Sequence, residues 1–467
     1  MVVWSVTVAW ALTLAVIVRD RHADFRYARF DLGNMVQAVW STAEGRPLEI
    51  THAVTGEQLP RLASHVDPIL VLLAPLWLLW PSPVVLAMVQ VAAVAVGAIP
   101  VFLLARKHAE SEVVGAVLAL AYLAYPWTPW AAVDAFHPVA LAIPLLLFAI
   151  WFLDADRLVA FTVCAILTAS TAELMGLLIA GLGVWYALAR GRSRPGLAIA
   201  VSGAAWTLFS VYVVVPAFYD APSAYYGVFT EVGGSPAGVL KTALTEPLTI
   251  LREITGHEDF LYLFLVGAPV AGAFLLAPGL AAVALPSLAV NVLAIPSGTT
   301  DPHEHYISGI LPILFGAVAI GIGRVSPLWR LRTAGVVLAV AFAATVALGP
   351  WPRTLLGAAG WDPLNTDRAY VRVLERAVAL VPEDAPVSAT NRVGSHLSAR
   401  RYFYSVPVLG RAEWIVLEAD DAWLPDSVGG DRDRRRLRAF LRQVERTPDW
   451  MNVFEQDGVY VFRRADP

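Results

Sequence analysis

The sequence predicts an all-α polytopic membrane bundle of about 11 transmembrane helices, followed by a small C-terminal α/β domain. Three observations carry this. Hydrophobic residues make up 57% of the 467-residue chain and charged residues only 15%, with a mean hydropathy of +0.61, too apolar for a soluble globule. Apolar runs of roughly 18–22 residues recur from end to end, the length a helix needs to cross about 30 Å of hydrocarbon. Beyond Gly349-Pro350 the composition turns abruptly polar.

The predicted spans lie near 2–18, 83–105, 112–126, 138–153, 158–172, 174–189, 196–216, 259–277, 279–296, 306–323 and 332–349. The first run, Val2–Val18, has no basic n-region and no clear small-residue cleavage site, so a retained span is expected rather than a signal peptide. The run Ile69–Trp80 ends in Pro81-Ser82-Pro83 and is too short to span; it reads as a re-entrant or interfacial helix. The tight basic loops Arg106-Lys107-His108, Arg190 to Arg194 and Arg324 to Arg332 fall on one side and are assigned to the cytoplasm. The loops 19–82, 127–137, 217–258, 297–305 and the tail then lie outside, although Arg19, Arg21, Arg26 and Arg29 in the first of them run against the rule.

The expected organisation is therefore a transmembrane domain over 1–350, with a first outer loop at 19–82, and a soluble extracytoplasmic domain over 361–467. In that domain Thr366–Leu380 has helical periodicity, and Pro386–Thr390, Trp414–Glu418 and Gly458–Arg463 read as strands. Asp431–Arg446 is a charged helix with a solvated face.

Net charge of −4 argues against nucleic acid as a partner. The lone Cys164 sits in an apolar run, which excludes a disulfide framework and a thiolate metal site. No Walker sequence, Gly-rich phosphate loop or inverted repeat is present.

The polar residues carry the functional signal. Asp31, His65, Asp67, Asp134, His137, Glu173, Asp301, His303, Glu304 and His305 lie in or beside gaps between apolar runs, all on the outer side of the expected topology. Ionisable groups are costly at a membrane, so their gathering at one face indicates a site. A plainer reading stands beside it. Asp31 is placed to cap the helix at Asn34–Ala43, and His65 and Asp67 to cap the short run that opens with Pro68. Asp134-Ala135-Phe136-His137-Pro138 repeats that arrangement, after an aromatic group, Tyr125 to Trp130, expected to anchor at the interface. Glu173 lies between two short apolar stretches and is expected to be a buried, paired carboxylate.

Asp301-Pro302-His303-Glu304-His305-Tyr306 opens a late span. Its His-x-His beside an acid is compatible with a divalent metal, but no further ligand set accompanies it, and phosphate neutralisation by hydrogen bonding is preferred. No metal ligands are assigned. Asn391 to His396 has no catalytic spacing and reads as structural.

The segments Arg26–Gly33, Gly45-Arg46-Pro47, His65–Pro75, Phe136-His137-Pro138, the late His305-Tyr306 step and Val387–Asn391 resemble a family of bacterial and archaeal multi-spanning proteins, domain of unknown function 2079. That family in turn resembles the class C glycosyltransferase fold, whose members carry an acidic residue on an extracytoplasmic first loop and use lipid-phosphate-linked sugars. The resemblance implies a membrane glycosyltransferase that takes a sugar from a polyprenyl-phosphate donor at the outer face of a plasma membrane. Asp31, which follows Phe30 where those enzymes often show paired acids, would be the general base and Glu173 a second catalytic carboxylate. Arg61, His65, Asp67, Asp134, His137, His303, His305 and Tyr306 would bind substrate. The partners implied are the polyprenyl-phosphate-linked sugar and membrane lipids. The alternative is a transporter or flippase using the same acids and histidines as a proton relay. A non-catalytic envelope scaffold is the third reading.

Overall fold

The computed structural model describes residues 2–219, 229–234, 236–254, 256–294, 297–351, 366–421, 423–425 and 429–465. Most of them are helical. Among the described residues five helices are long and apolar enough to cross a membrane: Val3–Ala23, Pro83–Ala109, Ser193–Phe218, His305–Arg324 and Pro327–Leu348. Glu112–Ala124 and Trp127–Val133, bent by 56°, form a sixth when counted together. The other five expected spans hold helices of only 10–17 residues: Pro138–Asp154, Leu158–Ala169, Met175–Ala189, Asp259–Val270 and Pro278–Leu293. In the last two the hydrogen-bond ladder is broken, which hydropathy does not register. Pro269, Pro278 and Pro286 each remove a backbone donor, and Ala271 and Gly272 turn the chain through positive φ (52° and 65°).

Carbonyls left free at such a break, and at the end of Pro327–Leu348, find side-chain donors. Tyr125 Oη donates to Val266 O at 2.8 Å, Trp127 Nε1 to Leu265 O at 2.8 Å, and Trp130 Nε1 to Leu348 O at 2.7 Å. All three rings are buried, so this aromatic group ties helix ends together; it does not anchor at the interface as expected. Ile69–Trp80 is a 3-10 turn, Pro68–Leu73, running into the short helix Ala74–Leu79. Leu72, Leu78 and Leu79 project outward from it.

Close backbone approach joins Met175–Ala189 to Ser193–Phe209. A Cβ on Gly183 would stand 2.4 Å from Ala200 N, so only glycine fits there. At one end of the bundle two of the basic loops converge on buried Asp154, and the third packs beside them. Its carboxylate meets Lys107 Nζ at 2.7 Å, His108 Nε2 at 3.0 Å and Arg190 Nη1 at 3.5 Å, and Arg330 Nη1 donates to Ala109 O nearby. Helices Pro138–Asp154 and His305–Arg324 run from this end, so His137 and His305 stand at the opposite one.

Above that opposite end the first loop forms a hairpin, β1 (Glu49–Thr51) with β2 (Gln58–Pro60), and the C-terminal residues form a sheet. Its strands are β3 (Val387–Ala389), β4 (Phe403–Ser405), β5 (Trp414–Glu418), β6 (Trp450–Gln456) and β7 (Val459–Arg464), in the order β4-β3-β5-β7-β6. β3 is parallel to β4 and β5; the β5–β7 and β7–β6 pairs are antiparallel. Side chains alternate along β5. Val416 packs under helix Arg368–Ala379, while Ile415 and Leu417 pack under Asp431–Arg446, whose outer face is charged as expected. Phe25 of the first loop joins the Val416 side, so one apolar cluster spans loop and sheet.

Candidate functional site

Asp31 does not cap a helix. It sits within a π-helical turn, Arg29–Gly33, that leads directly into Asn34–Ala43. The sheet domain holds this turn. Asn391 Oδ1 accepts from Arg29 N at 3.1 Å and Phe30 N at 3.3 Å, and Ser395 Oγ donates to Tyr27 O at 2.6 Å. Arg29 is wholly buried, and its Nη2 donates to Thr51 O at 2.9 Å and Phe403 O at 3.0 Å. Burial brings its pKa down to about 9. The segment Asn391 to His396 is thus structural in a specific sense: it positions Asp31.

Asp67 takes the N-cap position before Pro68, but its carboxylate goes elsewhere, accepting from Arg61 Nε at 2.6 Å. Both side chains are buried. Burial raises the Asp67 pKa, against the pull of Arg61. Glu173 is 1% exposed and placed in a turn after Leu158–Ala169. One oxygen pairs with His65 Nδ1 at 3.2 Å and the other accepts from Val66 N at 3.0 Å. That bond leaves His65 Nε2 for the surroundings, and half of the ring is exposed.

His137 precedes the helix opened by Pro138 and is fixed on every side. Its main-chain N donates to Gln90 Oε1 at 2.9 Å, and Gln90 Nε2 donates to Asp134 O at 3.0 Å. Its ring Nδ1 lies 2.8 Å from Ala135 O, its Nε2 is 3.7 Å from Asp31 Oδ1, and its face stacks on His305 at 3.7 Å and 15°. Asp134 Oδ1 accepts from Ala135 N, and its Oδ2 lies 3.8 Å from His137 Nδ1. Burial, with Glu304 and Asp31 nearby, holds the Asp134 carboxyl well above the usual range, and Glu304 is raised by burial, Asp31 and Asp301.

These groups surround a cavity of about 560 Å³. Asp31, Arg61, His65, Asp67, His137, Glu173, His305 and Tyr306 line its polar half, and Leu174, Leu177, Pro286, Val290 and Ala294 its apolar half. Arg61 is the single Lys or Arg of the wall among the described residues. Asp134 lies behind His137. His303 is outside the wall altogether, bonded to Asp301 and set edge-on to Trp127 and Trp130 with ring centres 5.1 and 4.9 Å away.

The His-x-His pair therefore splits, and a metal at His303 and His305 has no geometric basis. Asp134, His137 and His305 do offer ligand atoms within 4.8 Å of one another. An ion bound by two imidazoles lies in the plane of both rings, at about 2.0–2.1 Å from each nitrogen. Rings stacked face to face share no such point, so this trio does not fit a divalent ion unless one ring turns.

Asn291, Asn34 and His52 are among the wall residues that the sequence did not single out. Asn291 is the lone amide in an apolar helix, Leu285–Leu293, and donates to Tyr262 Oη at 2.8 Å and Tyr306 O at 3.3 Å. An amide in such a helix is itself a signal. Asn34 and His52 gave no signal, being isolated polar residues at a helix start and in the first loop.

The sequence matches no curated protein. Among solved structures, ArnT from Cupriavidus metallidurans bound to undecaprenyl phosphate is similar, with a TM-score of 0.57 at 12% identity, covering 98% of this chain and 97% of that one. The apo state of the same protein gives the same values. At this identity the likeness is one of fold, and it extends over bundle and sheet domain alike. A family model described as a predicted membrane protein, DUF2079, matches residues 21–461, which include the whole cavity wall, and the chain belongs to that family.

Proposed function

We propose that the protein is a membrane glycosyltransferase that moves a sugar from a polyprenyl-phosphate donor to an acceptor hydroxyl at the outer face of a plasma membrane. The observation that carries this reading is the two-sided cavity: a polar wall with Arg61, His65, His305 and the Asp31 carboxylate faces a sleeve of aliphatic side chains at one end of the bundle. A lipid phosphate needs both at once. The fold supports it, because the similar ArnT structure was solved with undecaprenyl phosphate bound.

In this reading the aliphatic residues take the first isoprene units, and Arg61, His65 and His305 face the donor phosphate. Arg61 is already oriented by Asp67, and Glu173 fixes His65 so that its Nε2 is free for the cavity. Glu173 has both oxygens engaged and acts by positioning. Asp31, 45% exposed at the wall, takes the proton of the acceptor hydroxyl as its oxygen attacks the anomeric carbon and the lipid phosphate leaves. No nucleotide is needed, in keeping with a sequence that has no phosphate loop.

The test uses the full chain in membranes or nanodiscs with undecaprenyl-phosphate-linked sugar. Asp31→Asn is expected to bind the donor and transfer nothing. Undiminished transfer removes Asp31 from the chemistry, and net movement of donor across the bilayer without transfer replaces this reading with the transporter.

A further inference from the structure

The arrangement around His137 assigns it a role other than holding phosphate. Its Nδ1 is 2.8 Å from Ala135 O, and a carbonyl oxygen only accepts, so Nδ1 carries a hydrogen. In the neutral ring Nε2 is then a bare acceptor with nothing to donate to a phosphate. That atom faces Asp31 Oδ1 at 3.7 Å, a second acceptor. Two acceptors that face each other make no hydrogen bond until one of them carries a proton, and a protonated Asp31 has its acceptor in Nε2. The Nδ1 bond to Ala135 O and the stack on His305 hold the ring in this orientation, and Gln90 holds the main chain beneath it.

We propose that His137 is the proton relay of Asp31, with Asp134 standing behind its Nδ1. The proposal rests on the transfer reading for the origin of the proton. The acceptor O–H bond breaks, its proton goes to the Asp31 carboxylate, and the oxygen forms the new bond to the anomeric carbon. The bond from that carbon to the phosphate oxygen breaks, and its electron pair leaves with the lipid phosphate. The proton on Asp31 then passes to His137 Nε2, giving an imidazolium, and Asp31 is again a base. The imidazolium releases the proton to water or to the departing phosphate.

Asp134 suits the second position. Its Oδ2 is buried with no hydrogen-bond partner among the described residues and lies 3.8 Å from His137 Nδ1. The groups facing His137 are Asp31 from the first loop, Asp134 from the preceding turn, His305 from the stacked helix start, and Arg61 and His65 across the cavity; Glu304 and Arg21 act through Asp134. Burial lowers the His137 pKa while Asp31 works to raise it, so the ring rests neutral and ready to accept.

The test has two arms on the full-length protein. With nitrogen-15-labelled histidine, the His137 resonance is expected to report the Nδ1–H tautomer, and Asp31→Asn is expected to lower its titration midpoint by about one unit through loss of the facing anion. An Nε2–H tautomer, or a midpoint indifferent to Asp31→Asn, overturns the relay. In the second arm His137→Gln keeps undecaprenyl phosphate affinity while kcat falls roughly 100-fold and one ionisation vanishes from the pH profile. Weakened undecaprenyl phosphate binding with unchanged kcat overturns it too and returns His137 to the phosphate. If the wild type transfers no sugar yet the titration is coupled, the transfer reading fails and the Asp31–His137 proton pair stands.

Discussion

The Asn391 side chain accepts a hydrogen bond from the backbone of Arg29, 362 residues earlier, at 3.1 Å. With the second bond from Phe30 N, this amide does for the π-helical turn what an N-cap does for an α-helix. The sheet domain thereby sets the position of Asp31. Asn391→Ala is expected to lower kcat for sugar transfer while leaving undecaprenyl phosphate affinity intact, and to cost roughly 1 kcal/mol in stability. Asn391→Asp keeps the acceptor and is expected to retain most activity. Equal loss in both variants would show that the side-chain oxygen is not what matters.

Gly394 tests the same junction by volume. A Cβ there would stand 2.3 Å from Arg29 Cβ and 3.0 Å from its Cα, and Arg29 has no room to withdraw because its guanidinium is tied to Thr51 and Phe403. Gly394→Ala is therefore expected to cost roughly 1–3 kcal/mol by overpacking. Thermal melting of the full chain measures it, and an unchanged melting temperature would mean that the loop and sheet domain are not locked together.

Arg61 and Asp67 separate binding from chemistry. Arg61→Gln removes the only permanent cation of the described wall and leaves the buried Asp67 carboxyl without its partner. Undecaprenyl phosphate affinity is expected to fall roughly tenfold or more. Asp67→Asn is expected to weaken it less, since the guanidinium stays and loses only its orientation. Titration of the lipid phosphate against both variants checks the order; the reverse order would take the phosphate away from Arg61.

The membrane class was legible because long apolar runs have no soluble interpretation, and the polar wall was legible because Asp31, His65, His137, Glu173 and His305 interrupt such runs. The breaks at Pro269, Pro278 and Pro286 were present in the sequence, yet their effect depends on partners such as Trp127 and Tyr125 from another helix. Two residues that look alike, His303 and His305, part company because the chain turns between them, one towards the tryptophans and one onto His137. The grip of Asn391 on Arg29 had no local signature at all, since both residues sit in ordinary polar sequence.

Glu418 gives the sheet domain a pH dependence of its own. It lies at the end of β5, 2% exposed, with Arg392 Nη1 at 3.3 Å. Burial raises its pKa from 4.5 to about 7, with Arg392 opposing and Asp421 assisting. Because the folded-state value lies above the unfolded one, the folded form binds the proton more tightly. The stabilisation is fully present below pH 4.5 and is lost as pH rises through about 7. From pH 5 to pH 8 the domain is therefore expected to lose roughly 3 kcal/mol from this group. Glu418→Gln removes the ionisation, so its melting temperature is expected to vary less over that interval and to exceed the wild type at pH 8. A wild-type melting temperature that climbs from pH 5 to pH 8, with Glu418→Gln following it in parallel, would place the sensitivity in another group.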